Sequence, residues 1–306
     1  MKIFRSFEDA AGIRNPVVTT GLFDGVHKAH KKIIDRLNTI ATSTGGESVL
    51  ITFYPHPRKV LYPDTGGKDL RMINTQEEKL LLLEKAGLDN VIIIEFTREF
   101  SKITSEAFVR DILTGILGAK VIVAGFNHHF GFNKEGDYRQ LWNLQDKYKF
   151  EAVEIPEQEV HHESVSSSRI RDAISRGYIM RANAYLDQCF ILMGGQDDAV
   201  RSLGNTGFLF RRIVIPETEK LLPPEGIYEV SINNNNGIMN GIAMVASPAG
   251  EDRQVFMGYS DRAYITPGEK VILLFSKKFS ENFNVNDPLS VESALFSVAK
   301  KIGGLI

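Results

Sequence analysis

Gly21, Phe23, Asp24, Gly25, His27 and His30 fall in one short run, directly after the β-branched stretch Val17-Val18-Thr19-Thr20 and at the start of a segment with helical periodicity. These residue types suit phosphate chemistry. Glycine lets phosphate oxygens approach the backbone, and the first amides of a helix point donors at an anion. Histidines three residues apart across a helix start face the same side. Each can donate a hydrogen bond as charge builds on a phosphate in transfer. A glycine-rich turn with surface histidines is also a common structural feature, so this run alone supports phosphate binding and nothing narrower.

Three further segments carry polar groups at the ends of apolar runs. Thr52-Phe53-Tyr54-Pro55-His56-Pro57 follows one run, and its two prolines stiffen a loop into a wall for a flat ring. Ala124-Gly125-Phe126-Asn127-His128-His129-Phe130-Gly131 follows another, where the Asn127 amide can bond a ring edge. Val165-Ser166-Ser167-Ser168-Arg169-Ile170-Arg171 offers capping hydroxyls, amides and guanidinium groups, a set suited to a polyphosphate. His56, between two prolines, reads as a packing residue. The pairs His128-His129 and His161-His162 read as structural, since adjacent side chains diverge and no carboxylate or cysteine stands at a zinc-motif spacing.

Taken together, Gly-x-Phe-Asp-Gly-x-His-x-x-His, Thr-Phe-x-Pro-His-Pro, the Asn127 segment and Ser166-Ser167-Ser168-Arg169-Ile170-Arg171 resemble the adenylyltransferase half of the bacterial riboflavin kinase/FAD synthetase family, in the nucleotidyltransferase superfamily. Ser168 stands for the family's Thr and keeps its hydroxyl, whereas Ala29 replaces a glycine between the histidines, which bears on nucleotide affinity. The resemblance implies adenylyl transfer from ATP to FMN, giving FAD and pyrophosphate. On that basis His27 and His30 are donors to the α-phosphate. Gly21, Phe23, Asp24, Gly25, Ser166, Ser167, Ser168 and Arg171 hold ATP, and Pro55, His56, Pro57 and Asn127 face the flavin. Magnesium is expected to bridge the ATP phosphates with few protein ligands, no metal-ligand residue is singled out, and no structural metal is expected.

The elements that must position these residues are legible as alternation. Val17–Thr20, Ser48–Phe53, Val91–Phe96, Val121–Ala124 and Ala152–Ile155 are strand-length runs suited to a parallel sheet buried on both faces. His30–Ile40, Gln76–Ala86 and Ser105–Leu117 carry helical spacing between them, and Ser166–Arg176 and Met180–Leu186 read as short helices. The fold class is α/β: a Rossmann-like doubly wound nucleotidyltransferase domain over 1–186, with its ligand site at the carboxyl ends of the strands. From Phe190 the text turns to strands punctuated by Pro223-Pro224-Glu225-Gly226, the Asn233–Gly237 run and Thr266-Pro267-Gly268. This predicts a smaller antiparallel β-barrel domain over 187–306 with a closing helix over Phe283–Lys301.

In this second part the family's riboflavin kinase signature Gly-Phe-Pro-Thr-Ala-Asn is replaced by Gly207-Phe208-Leu209-Phe210-Arg211-Arg212, although Leu221-Leu222-Pro223-Pro224-Glu225-Gly226-Ile227-Tyr228 survives. The Thr and Asn that serve magnesium and phosphates in the family become Phe210 and Arg212, and a hard cation needs oxygen ligands. Gly258-Tyr259-Ser260-Asp261-Arg262 lacks the family's Pro-Thr, and Glu269 matches a catalytic Glu whose acidic neighbour is here Leu274. The expectation is a barrel that keeps the kinase fold without kinase activity. Three readings stay open: a monofunctional FAD synthetase, a transferase for another phosphorylated cofactor precursor, and a flavin- or nucleotide-binding regulator. A bifunctional kinase/synthetase would require the broken signature to work.

Bulk properties agree with a small-molecule enzyme. The chain has 306 residues, 43% hydrophobic and 24% charged, with a net charge of -2 that gives no reason to expect nucleic-acid or membrane partners. One cysteine, Cys189, excludes an intramolecular disulfide, and no run long enough to span a membrane or serve as a signal peptide is present, so a cytoplasmic location is expected.

Overall fold

A computed structural model describes residues 1–126, 128–157, 159–160, 163–197, 199, 201–202, 208–247, 252–260, 265–266, 268–280, 290, 292–295 and 297–298. The chain divides into two compact units, Met1–Leu70 with Lys79–Val165, and Arg71–Glu78 with Ser166–Ile306.

The first unit is built on six strands: β1 (Lys2–Phe4), β2 (Val17–Thr20), β3 (Ser48–Tyr54), β4 (Asn90–Glu95), β5 (Val121–Gly125) and β6 (Glu151–Ile155). They pair in the order β1-β4-β3-β2-β5-β6, and every pairing is parallel. β2, β3 and β5 are apolar on both faces, which only helices on both sides can cover. Successive strands run outward from β2 in one direction up to β4. They then resume on its other side with β5, so the sheet switches direction between β2 and β5. Open α/β sheets take their ligands at the carboxyl edge of such a switch.

Helices α1 (Lys28–Thr44), α2 (Pro57–Leu61), α3 (Gln76–Lys85), α4 (Ser105–Ala107) and α5 (Tyr138–Tyr148) lie between the strands. α1 buries Ile34, Leu37, Ile40 and Ala41 and ends where Gly45 takes φ 60. The stretch expected as one helix over Ser105–Leu117 begins as α4, capped by Thr104, and widens into π turns over Phe108–Ile116. Five-residue bonds such as Leu117 N–H to the Ile112 carbonyl (3.0 Å) mark the widening. β1 and α5 were not foreseen: β1 has three residues, two of them exposed, and α5 buries only Leu141, so neither leaves a strong apolar period.

The remaining strands are β7 (Glu159–Val160) and β8 (Glu163–Ser164), a short antiparallel pair, then β9 (Phe190–Gln196), β10 (Arg201–Ser202), β11 (Phe208–Val214), β12 (Gly226–Asn234), β13 (Gly237–Ala246), β14 (Gln254–Ser260) and β15 (Val271–Ser280). In the second unit β11-β14-β13-β12-β15-β9 closes on itself through β9–β11, giving a six-stranded antiparallel barrel with β10 added beside β11. Tyr228, Val230, Ala243, Met257, Leu273 and Phe275 line one buried face. On the opposite face Phe210, Ile227, Ile242, Met244 and Phe256 pack with Leu295 and Val298. The described residues of 290–298 are helical, while the rest of the expected closing helix, together with Pro267, lies outside the described residues.

Helices α6 (Ser167–Ser175) and α7 (Ile179–Leu186) belong to this unit. Asn183 fixes α7 to the barrel, its amide donating to the Phe275 carbonyl (2.7 Å) and its oxygen accepting from Phe190 N–H (2.7 Å). Among the described residues no helix is long and apolar enough to cross a membrane.

Candidate active site

The β2–α1 turn departs from the carboxyl end of the central strand. Gly21 N–H continues the sheet by donating to the Ile51 carbonyl of β3 (2.9 Å), after which the chain leaves the ladder. Phe23 (φ 51), Gly25 (φ 92) and Val26 (φ 40) then take left-handed backbone, which is costly for Phe and Val. Such a conformation persists only if its surroundings impose it. Here the Leu22 carbonyl accepts from Thr52 Oγ1 (3.2 Å) and from Lys79 Nζ (3.5 Å), and Lys79 also donates to Thr52 (3.3 Å). At Gly21 a β-carbon would lie 2.9 Å from the Phe23 ring, so glycine is required for the ring to fold back over the turn.

That folding back builds a ring stack. Phe23 lies on His30 with centroids 4.3 Å apart, and His30 lies on His27 at 3.6 Å, with the ring planes nearly parallel. His27 is the N-cap residue of α1, yet its side chain makes no capping bond, which leaves the ring directed into the stack. Burial, then the adjoining His27 and Lys79, push the His30 imidazole well below its ordinary range. A neutral His30 donates through one ring N–H without bringing a second fixed cation beside Lys79. Its Nδ1 is enclosed without a hydrogen-bond partner among the described residues. Asp24 is buried within the same turn. The structure therefore brings together Gly21, Phe23, Asp24, Gly25, His27 and His30, the six residues expected at this turn, around the N-terminus of a 17-residue helix.

The Pro55-His56-Pro57 loop leaves β3, the strand beside β2, at the same edge of the sheet. His56 is buried and caps α2, its Nδ1 accepting from Arg58 N–H (3.0 Å), and Pro57 occupies the first helical position. The packing role expected of His56 is thus built into a helix cap. Beyond β5, Phe126 is 55% exposed at the sheet edge. Asn127 lies outside the described residues.

His128, read as structural from the sequence, meets this site directly. Its Nε2 lies 2.8 Å from Thr20 Oγ1, on the last residue of β2. Burial and the neighbouring His129 lower its pKa to about 4 against a smaller upward pull from Thr20, so the ring is neutral at physiological pH. Its ring stacks on Phe130, with centroids 5.6 Å apart. The one signal that could have found it is its place just after the strand paired with β2.

Ser166, Ser167, Ser168 and Arg171 belong to the second unit, where they open α6. Ser166 is the N-cap, its hydroxyl accepting from Arg169 N–H (3.4 Å). Arg171 Nε donates to the Arg71 carbonyl (3.0 Å) in the same unit. In the barrel, Phe210 is buried in the outer apolar layer, and Arg212 lies on the same face, paired with Asp197 at 3.2 Å. Glu269 is buried and accepts from Asn235 N–H (2.5 Å). Gly207, Asp261, Arg262, His161 and His162 lie outside the described residues.

Residues 10–169 match the model of a family described as FAD synthetase. The chain is 30% identical over 231 residues to a bifunctional riboflavin kinase/FMN adenylyltransferase of Listeria monocytogenes, covering 76% of this chain and 72% of that protein. Its identity to the Bacillus subtilis protein of the same name is 29%, over 75% and 71% of the two chains. For the Escherichia coli K12 protein, again of that name, the identity is 26%, over 71% and 67%. A crystal structure of a protein called a macrolide-efflux protein, from Streptococcus pneumoniae, superposes with a TM-score of 0.83 over 98% of each chain at 24% identity. That likeness shows a shared fold.

Proposed function

The chain belongs to the FAD synthetase family, and on that premise we propose that its Gly21–His30 turn catalyses transfer of the adenylyl group of ATP to FMN. A phosphate oxygen of FMN attacks the α-phosphorus, a new P–O–P bond forms, and the bond to the β-phosphate breaks, with its electron pair leaving on pyrophosphate. No covalent bond to the protein is needed, so catalysis consists of alignment and charge stabilisation. The observation that carries this reading is the stacked His27–His30 pair at the switch edge of the sheet, in a turn whose Leu22 carbonyl accepts from Lys79. His27 and the neutral His30 donate to the α-phosphate oxygens. The glycine turn and the start of α1 receive the phosphate chain, and ATP arrives as its magnesium complex.

In this reading the hydroxyls and amides of Ser166, Ser167 and Ser168 and the guanidinium of Arg171 suit the β- and γ-phosphates. Pro55, His56, Pro57 and Asn127 would face the flavin. Riboflavin kinase activity is lost in this reading. A buried phenyl ring and an arginine already paired with Asp197 stand where the resemblance requires oxygen ligands and a phosphate amide.

Purified full chain incubated with magnesium, ATP and either FMN or riboflavin, with products separated by chromatography, tests both parts. FAD from FMN and no FMN from riboflavin is the expected pair of results. Formation of FMN from riboflavin would restore a bifunctional enzyme. A folded sample that binds ATP and yields no FAD would leave a nucleotide-binding protein without turnover.

A further inference from the structure

Arg211 is the residue of the barrel that its surroundings explain least. Its register partner is Met257, which in turn pairs with Ala243. These positions lie on the face opposite Phe210, Phe256 and Ile242, so the guanidinium is on the barrel's inner wall. Arg211 is 7% exposed, and Met257 and Ala243 beside it are fully buried. Its Nε donates to the Tyr259 hydroxyl (3.0 Å), while Nη1 is enclosed without an acceptor among the described residues. An arginine does not shed its charge when buried, and a buried charge without a counter-charge is strongly unfavourable. The nearby carboxylate Asp197 is engaged with Arg212.

We propose that Arg211 and Tyr259 form a binding site for an anion of the phosphate class inside the barrel, separate from the adenylyl-transfer turn and independent of that reading. Tyr259 accepts from Nε, so its own O–H proton is available to donate beside the Nη1 protons. The pair presents donors and no acceptor, which suits a tetrahedral oxyanion. Two sources share this chemistry: free phosphate or pyrophosphate, and the phosphate ester of a flavin nucleotide.

Thermal unfolding of the full chain in phosphate-free buffer tests the site. Inorganic phosphate, pyrophosphate or FMN is added at matched ionic strength, for the wild type and for Arg211→Met. The quantity read is the difference between the two proteins, so binding at the Gly21–His30 turn cancels. Without anion, Arg211→Met is expected to melt higher than wild type, because the uncompensated charge is gone. With anion, the wild type is expected to gain a saturable rise of several degrees that the variant lacks. A rise with inorganic phosphate identifies the free anion, and a rise confined to FMN identifies the ester. Equal rises in both proteins, or no rise with any anion, would overturn the proposal. If Arg211→Met does not fold, Tyr259→Phe removes one donor while keeping the ring. It is then expected to weaken anion affinity several-fold, and unchanged affinity would overturn the proposal.

Discussion

At the residue scale the account rests on two imidazoles whose rings touch. His27 and His30 were legible in the sequence by type and spacing, and the structure adds that they stack with Phe23 and that His30 is held neutral. Replacing His27 by Ala removes a donor to developing charge. It is expected to lower kcat by about 10²–10³ while the thermal midpoint stays within a few degrees; steady-state rates beside a melting curve check this. His128 was not legible as part of the site, because its contact with Thr20 joins residues 108 positions apart. Burial of the His128 ring, with His129 beside it, gives a pH dependence. With a pKa of about 4 in the fold and 6.5 when unfolded, this imidazole takes up its proton mainly in the unfolded chain between those values. The stability it contributes is complete above about pH 6.5 and is lost as the pH falls toward about 4. His128→Phe should flatten that acid slope in denaturant midpoints measured from pH 7 to 4, and an unchanged slope would remove His128 as its source.

At the element scale the strand–helix alternation was readable, since runs such as Ser48–Phe53 are apolar on both faces and only a covered parallel sheet suits them. Sheet order was not readable, because nothing local to β2 states that β3 and β5 flank it. Yet this order puts the β2–α1 turn at the edge where open α/β sheets take their ligands. The turn itself depends on close approach at Gly21. A methyl group there meets the Phe23 ring at 2.9 Å and must move it off His30. Gly21→Ala is expected to raise KM for ATP and lower kcat together, by about tenfold or more, as a misplacement of about 1 Å does in positioned catalysis. Steady-state kinetics at varied ATP check this, and wild-type constants would show that Phe23 does not hold His30.

At the scale of the whole chain, a parallel-sheet unit that holds the proposed phosphate turn is joined to an antiparallel barrel in which Phe210 and Arg212 stand at the places of the resembled kinase signature. Loss of the signature was legible as text, in Phe210 and Arg212. The barrel's new charge at Arg211 was not, because strand alternation alone leaves open which face is inner. Equally hidden was the tie of Arg71–Glu78 into the barrel unit through Lys220, which donates to Glu78 and to the carbonyls of Ile73 (2.6 Å) and Ile191 (2.8 Å). Both charged groups of this pair are fully buried. Lys220→Met strands the Glu78 carboxylate and is expected to cost about 3–5 kcal/mol, part of which the double variant with Glu78→Gln should recover. Equilibrium denaturation of the single and double variants measures both.

The central claim is adenylyl transfer at the Gly21–His30 turn, and the fate of the ATP phosphates tests it most directly. With FMN as acceptor, ATP labelled at the α-phosphate is expected to place its label in FAD, and ATP labelled at the γ-phosphate to place its label in pyrophosphate. Both transfers should fall together in His27→Ala. Label from the γ-phosphate in a flavin product, or α-label in FAD at an undiminished rate in His27→Ala, would contradict the account.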